Sequence, residues 1–159
     1  MSEKVVVDVS GIRLEEDSET PIMLLQDPKS FRFLPIWIGT IEAVSIAYAQ
    51  EGYVHPRPQT HDLLIDIVES LNASISEVCI TDMKDKTYFA EITLNTLEGN
   101  VTLSSRPSDA IALAIRTNSK ITVDNDLFTN NSIILIEENN EEMKEFKQFI
   151  DDISPEDFS

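Results

Sequence analysis

Residues 88–116 read Tyr88-Phe89-Ala90-Glu91-Ile92-Thr93-Leu94-Asn95-Thr96-Leu97-Glu98-Gly99-Asn100-Val101-Thr102-Leu103-Ser104-Ser105-Arg106-Pro107-Ser108-Asp109-Ala110-Ile111-Ala112-Leu113-Ala114-Ile115-Arg116, and the hydrophobic period changes once within them. Tyr88, Ala90, Ile92 and Leu94 recur every second residue, the spacing that lines one face of a half-buried strand. Glu98-Gly99-Asn100 is hairpin-length, and Val101 to Ser104 resumes the alternation. Pro107 then stands where a helix tolerates proline best, at its first position. The helix it opens has a wholly apolar interior, Ala110 to Ile115, and must be deeply buried. An antiparallel meander that delivers the chain into a buried helix predicts an α+β domain.

Working outward, Ile75 to Thr81 adds a third alternating segment, joined to Tyr88 to Thr96 through the turn Lys84-Asp85-Lys86. Before it, Leu64, Ile67, Val68 and Leu71 fall at i, i+3, i+4 and i+7 opposite Asp62, Asp66 and Glu69, which predicts an amphipathic helix from Thr60 to about Leu71, packed on a sheet. Pro56 and Pro58 make 53–59 irregular. An earlier helix starts at Gly39-Thr40, with Thr40 as the expected cap, and stops before Gly52; its residues Ile41 to Ala49 are apolar nearly all round. The N-terminal region reads as strands: Val5 to Val9, a parity change at Gly11, Ile22 to Leu25, and Phe31 to Ile38 after the turn Asp27-Pro28-Lys29-Ser30. Ile121 to Val123 is a short strand, and Ile133 to Ile136 is a strand or an extended segment. The expected architecture is one compact α+β domain over residues 1–138, a mostly antiparallel or mixed sheet with three packed helices. An acidic helical tail, 139–159, follows, with Met143, Phe146, Phe149, Ile150 and Ile153 on its docking face.

Of 159 residues 42% are hydrophobic and 26% charged, which are globular values. The single cysteine, Cys79, cannot form an internal disulfide and reads as a small buried thiol. The N-terminus lacks the apolar core of a secretory signal, and no apolar run approaches the ~20 residues that span a bilayer; a cytoplasmic, membrane-free protein is expected. Net charge is −17, and 137–159 carries nine acids against two lysines. The remainder is still acidic, which argues against the broad basic surface of a typical nucleic-acid binder. Walker and Rossmann loops, the G-x-S-x-G elbow, paired Cys-x-x-Cys and H-E-x-x-H are all missing, so the common nucleotide, hydrolase and zinc chemistries have no carrier.

Polar chemistry concentrates in His55-Pro56-Arg57-Pro58-Gln59-Thr60-His61-Asp62 and Ser105-Arg106-Pro107-Ser108-Asp109. Each places an arginine just before a helix and an aspartate in its first turn. The bland reading is that Asp62 and Asp109 stabilise helix N-termini and pair with the arginines. The functional reading is that both helix starts face one cleft. Arg57 and Arg106 would then hold phosphate oxygens, carboxylates would hold Mg²⁺ or Mn²⁺, and His61 would move a proton.

The same stretches carry a family resemblance. Leu34-Pro35-Ile36-Trp37-Ile38-Gly39 followed by Glu42-Ala43, Pro56-Arg57-Pro58-Gln59-Thr60-His61-Asp62-Leu63-Leu64, and Arg106-Pro107-Ser108-Asp109-Ala110-Ile111-Ala112-Leu113-Ala114 resemble, in order and spacing, three motifs of the bifunctional nuclease domain. The resemblance implies a self-associating α+β domain that cleaves DNA and RNA. His61, Asp62 and Asp109 become the catalytic candidates; Arg57, Arg106 and Ser108 the substrate-binding candidates; and Glu42, Asp62 and Asp109 the metal candidates. Two positions depart from the family: Ser104 stands where an aspartate is frequent, and Lys86 where a glycine is frequent, which suggests a different turn because lysine seldom adopts positive φ. A homodimer is expected from the apolar helices Ile41 to Ala49 and Ser108 to Ile115. The competing function is a non-enzymatic module that uses the same cluster structurally or for an anionic small ligand.

Overall fold

The computed structural model describes residues 3–135, so the tail helix and its docking face lie outside the described residues. The elements are strands β1 (Lys4–Val6), β2 (Asp8–Leu14), β3 (Pro21–Gln26) and β4 (Phe33–Trp37), helices α1 (Thr40–Gln50) and α2 (Thr60–Ser70), strands β5 (Ser74–Lys84), β6 (Thr87–Thr96) and β7 (Gly99–Ser105), helix α3 (Pro107–Thr117), strand β8 (Lys120–Asp124) and helix α4 (Asn125–Asn131). They form a five-stranded sheet in the order β1-β8-β5-β6-β7 and a three-stranded sheet β2-β3-β4. The larger sheet is mixed, because β8 runs parallel to β5 while its other pairs are antiparallel. A parallel neighbour needs a crossover, and α3 supplies it after the β5-β6-β7 meander.

The meander follows from its alternation. Val78 and Ile80 of β5 and Ala90 and Ile92 of β6 turn inward and are buried, and α3 lies on them with Ala110 to Ala114 wholly enclosed. The small alanines let α3 and α1 approach closely, and α1 in turn rests on β2 and β3. The core thus runs from one sheet through two stacked helices to the other sheet.

Several expectations change. The N-terminal strand divides: β1 pairs with β8, Val7 N–H donates to the Ile121 carbonyl (3.0 Å), and β2 continues into the second sheet with a register shift between Val9 and Gly11. The caps of α1 and α2 are Gly39 and Gln59, one residue earlier than the threonines. None of α2's residues is buried: of its apolar stripe Leu64 and Val68 line a cleft, and Ile67 and Leu71 are exposed. Asp85 and Lys86 both have positive φ (51° and 65°), so lysine does occupy the left-handed turn position. Trp37 is half exposed, with Nε1 donating to Glu15 (3.2 Å). The short helix α4 was not anticipated; the Asp124 side chain caps it by accepting from Leu127 N–H (3.2 Å). Ile133 makes a single bridge to Phe33.

Candidate active site

Two helix starts fix the site. The prolines keep 53–59 irregular until Gln59, whose backbone N–H donates to Asp62 Oδ2 (3.0 Å) and closes the first turn of α2 around His61. At the other start, Arg106 is extended before Pro107 and folds its guanidinium back over the first turn of α3. Its Nε and Nη2 donate to Asp109 Oδ2 (2.8 Å) and Oδ1 (3.1 Å), a two-pronged clamp, while Nη1 reaches Glu42 Oε1 on α1 (3.1 Å). A Cβ at Gly39 would strike the Glu42 carboxylate, so the glycine makes room for that acid at the start of α1.

His61 joins the helices. Its Nε2 is 2.9 Å from Asp109 Oδ1, and its Nδ1 is 2.9 Å from Ser45 Oγ in the middle of α1. Near the end of α3, Arg116 donates from Nε to Asp62 Oδ1 (2.9 Å), from Nη1 to the Ala112 carbonyl (3.0 Å), and from Nη2 to the Ser45 carbonyl (3.3 Å) and Oγ (3.2 Å). One chain of polar contacts therefore crosses three helices: Glu42, Arg106, Asp109, His61, Ser45, Arg116, Asp62. Its middle is enclosed and its end is wet, with the His61 and Arg116 side chains 13% and 10% exposed and that of Arg106 62%.

Proton positions follow from the partners. Burial alone would raise the Asp109 pKa, but hydrogen bonds from Arg106 and His61 outweigh it and hold the carboxyl below its ordinary range. Asp62 is likewise lowered: burial opposes the shift, and the Gln59 N–H and Arg116 overcome it. A carboxylate only accepts, so in the neutral ring Nε2 carries the hydrogen toward Asp109, Nδ1 is the acceptor, and the Ser45 hydroxyl donates to it.

The network forms one wall of a cleft of about 690 Å³ between α1, α2 and the β5-β6-β7 face. Glu42, Ser45, His61, Arg106, Asp109 and Arg116 line it on the polar side. Its remaining surface is largely apolar, including Leu64 and Val68 of α2 and Ile92, Leu94 and Leu103 of the sheet. Ser104 also lines it and presents a neutral hydroxyl there.

Of the residues singled out from sequence, His61, Asp109, Arg106 and Glu42 meet in this cleft. Asp62 lines a second hollow of about 680 Å³ instead. Arg57 is exposed, and Ser108 is buried; neither lines either cavity. Glu42, Asp62 and Asp109 each turn to an arginine, and among the described residues no three His, Cys, Asp or Glu side chains gather to hold a metal ion. A resident Mg²⁺ or Mn²⁺ thus has no ready ligand set among them.

Sequence reasoning passed over Ser45 and Arg116. Each left a signal: Ser45 is a small hydroxyl between the apolar Val44 and Ile46, and Arg116 is the one cation of α3. His55 has a buried Nδ1 without a hydrogen-bond partner, and its ring packs edge-on against Tyr48 and Tyr53 (5.1 and 4.8 Å). Cys79 is buried, its Sγ donates to the Ile80 carbonyl (3.7 Å), and burial pushes its thiol pKa up. Among the described residues no helix is long and apolar enough to cross a membrane.

An uncharacterized protein of Mycobacterium tuberculosis is 37% identical over 161 residues, covering 96% of each chain. Bifunctional nuclease 1 of Oryza sativa subsp. japonica and Bifunctional nuclease of Oryza minuta are each 25% identical over 119 residues, 73% of this chain but 36% of theirs. The family model described as Bifunctional nuclease domain matches residues 23–135, a span that includes every residue of the polar chain. The chain belongs to the bifunctional nuclease domain family.

Proposed function

We propose that the protein is a nuclease that hydrolyses phosphodiester bonds of DNA and RNA, with His61 as its proton carrier. The observation that carries this reading is the contact series Arg106–Asp109–His61 at the mouth of the cleft, in a chain of this family. Asp109 fixes the ring tautomer and would stabilise the imidazolium that forms when His61 takes a proton; Arg106 holds Asp109 in place and presents its exposed side to an incoming phosphate.

Charge limits how a polyanion enters. Glu42, Asp62 and Asp109 against Arg106 and Arg116 leave the network one negative charge in excess with His61 neutral. Arg57, exposed and without an ion pair among the described residues, is a cation still free to meet a phosphate two residues before Gln59, which lines the cleft. The Mg²⁺ or Mn²⁺ requirement remains part of the proposal as a counter-charge to the substrate, and no chemical step is written through it.

The test is turnover of single- and double-stranded DNA and of RNA by purified protein, with Mg²⁺, Mn²⁺ or chelator. His61→Ala should lower the rate by about 10²–10⁴-fold and binding little. A parent that cleaves none of these substrates with either metal defeats the proposal.

A second reading is favoured by the largely apolar lining of the cleft: a non-catalytic module that binds a small anion with an apolar body. It predicts ligand-dependent stabilisation with no cleavage. Self-association belongs to the proposal as well, though not through the helices first considered, because α1 and α3 are consumed in the core. The exposed apolar residues lie instead on α2 (Leu63, Ile67, Leu71) and on the edge strand β7 (Val101, Leu103), where an unpaired edge can meet a second copy.

A further inference from the structure

We infer that Ser45 is the nucleophile of this site, attacking phosphorus to form a covalent phosphoseryl intermediate. The inference deepens the nuclease reading and rests on it for the natural substrate.

Ser45 sits at mid-helix, where a serine hydroxyl commonly folds back onto the carbonyl four residues earlier. Thr117 does this, donating to the Leu113 carbonyl (2.9 Å). Ser45 turns outward into the cleft, and its hydroxyl hydrogen bonds go to His61 and Arg116. The oxygen is held between a base and a cation: Nδ1 accepts its proton at 2.9 Å, and the Arg116 guanidinium donates to it at 3.2 Å, stabilising the alkoxide that forms when the proton leaves.

The second argument concerns His61. Nε2 is committed to Asp109 and Nδ1 to Ser45, so the proton that His61 can take without rearrangement is that of Ser45. A serine, a histidine and an aspartate in hydrogen-bonded series have the roles of nucleophile, base and orienting acid whatever their order in the chain, and here they come from α1, α2 and α3. Arg116, which touches the reacting oxygen, is itself held by Asp62 and by the α1 and α3 carbonyls.

The chemistry balances. The Ser45 Oγ–P bond forms as the P–O bond to the leaving alkoxide breaks; the hydroxyl proton passes to Nδ1 and on to the alkoxide. Water then attacks phosphorus and gives a proton to Nδ1. The P–Oγ bond breaks, and Oγ recovers that proton. One water is consumed, leaving one phosphomonoester end and one hydroxyl end.

The experiment uses the full chain and diisopropyl fluorophosphate, a phosphorus electrophile whose fluoride leaves as the Ser45 Oγ–P bond forms and whose adduct accumulates. Intact-mass and peptide mapping should show one equivalent on the peptide containing Ser45. Labelling should be absent in Ser45→Ala and slowed by about 10²–10⁴-fold in His61→Ala. The decisive measurement is on the parent, so a variant that fails to fold does not blunt it. A parent left unlabelled at Ser45 overturns the inference; if that parent still cleaves DNA or RNA, the nuclease reading survives with water as the partner of His61. A Ser45 adduct on a parent that cleaves no nucleic acid supports the nucleophile and sinks the nuclease reading.

Discussion

Replacing Asp109 by asparagine isolates what the carboxylate does, because the substitution keeps shape and removes charge. Asp109 accepts three hydrogen bonds, two from Arg106 at 2.8 and 3.1 Å and one from His61 at 2.9 Å. The Arg106 pair is largely exposed, and such pairs contribute about 0–1 kcal/mol. The bond to the enclosed His61 contributes about 1 kcal/mol more. The Asp109→Asn variant should therefore be about 1–2 kcal/mol less stable, a fall of about 2–8 °C in Tm for a chain of this length. An amide that accepts from His61 points its NH₂ at the Arg106 guanidinium. Turned the other way, it forces the ring hydrogen onto Nδ1 and reverses the Ser45 bond. Activity should fall by about 10²–10⁴-fold, far more than stability implies.

The pH dependence has a definite sign. The folded-state pKa of Asp109 is depressed, so its contribution is fully present above the ordinary carboxylate range and is lost as pH falls through the depressed value. The gap in stability between parent and Asp109→Asn should be level near neutrality and close in acid. Urea melts at several pH values, with turnover at neutral pH, check both parts. A gap that stays constant into acid, or a folded variant with parental turnover, refutes the reasoning.

Arg116→Met should cost about 2–4 kcal/mol in urea denaturation, because it strips a nearly enclosed guanidinium from Asp62, Ser45 and Ala112 together. Lys86→Gly should raise stability by about 0.5–1 kcal/mol, since the turn already holds this residue at φ 65° and glycine relieves that cost; a lower midpoint would contradict it. Cys79 should resist a thiol reagent in native protein and react fully in denaturant; fast native labelling would show that the strand opens. Val101→Glu should shift self-associated protein toward monomer in light scattering, and an unchanged mass would exclude the β7 surface.

The fold was legible where period and burial coincide. The alternation of Tyr88, Ala90, Ile92 and Leu94 and the alanine-rich run after Pro107 have one packing solution each, and β6 and α3 adopt it. Alternation does not name a partner strand, however, which is why the passage of the chain from β1 in one sheet to β2 in the other could not be read from Val5, Val7 and Val9. The seven-residue α4 has only Leu127 and Phe128 as large apolar residues, too few to establish a period. The α2 stripe was visible, but its period looks the same in sequence whether it meets a core or, as here, lines a cleft with Leu64 and Val68 and exposes Ile67 and Leu71.

For the site, sequence supplied the types and structure supplied the pairings. Arginine followed by aspartate at two helix starts suggested two local braces, and one is local: Arg106 holds Asp109 three residues on. The other is not, since Asp62 takes Arg116 from the far end of α3 and Arg57 is left in solvent. That exchange changes the chemistry available. Had Arg57 paired with Asp62, Arg116 would have no reason to reach Ser45, and the hydroxyl would face His61 without a cation behind it. Because Arg116 spans both groups, the charge that holds α2 against α3 also polarises the one hydroxyl that His61 can deprotonate. Arg57, released from bracing, is left exposed, as the proposed phosphate contact requires. The polar chain thus keeps two arginines inside the network and one outside it, the local positive charge that the proposed phosphate contact requires in a protein of net charge −17.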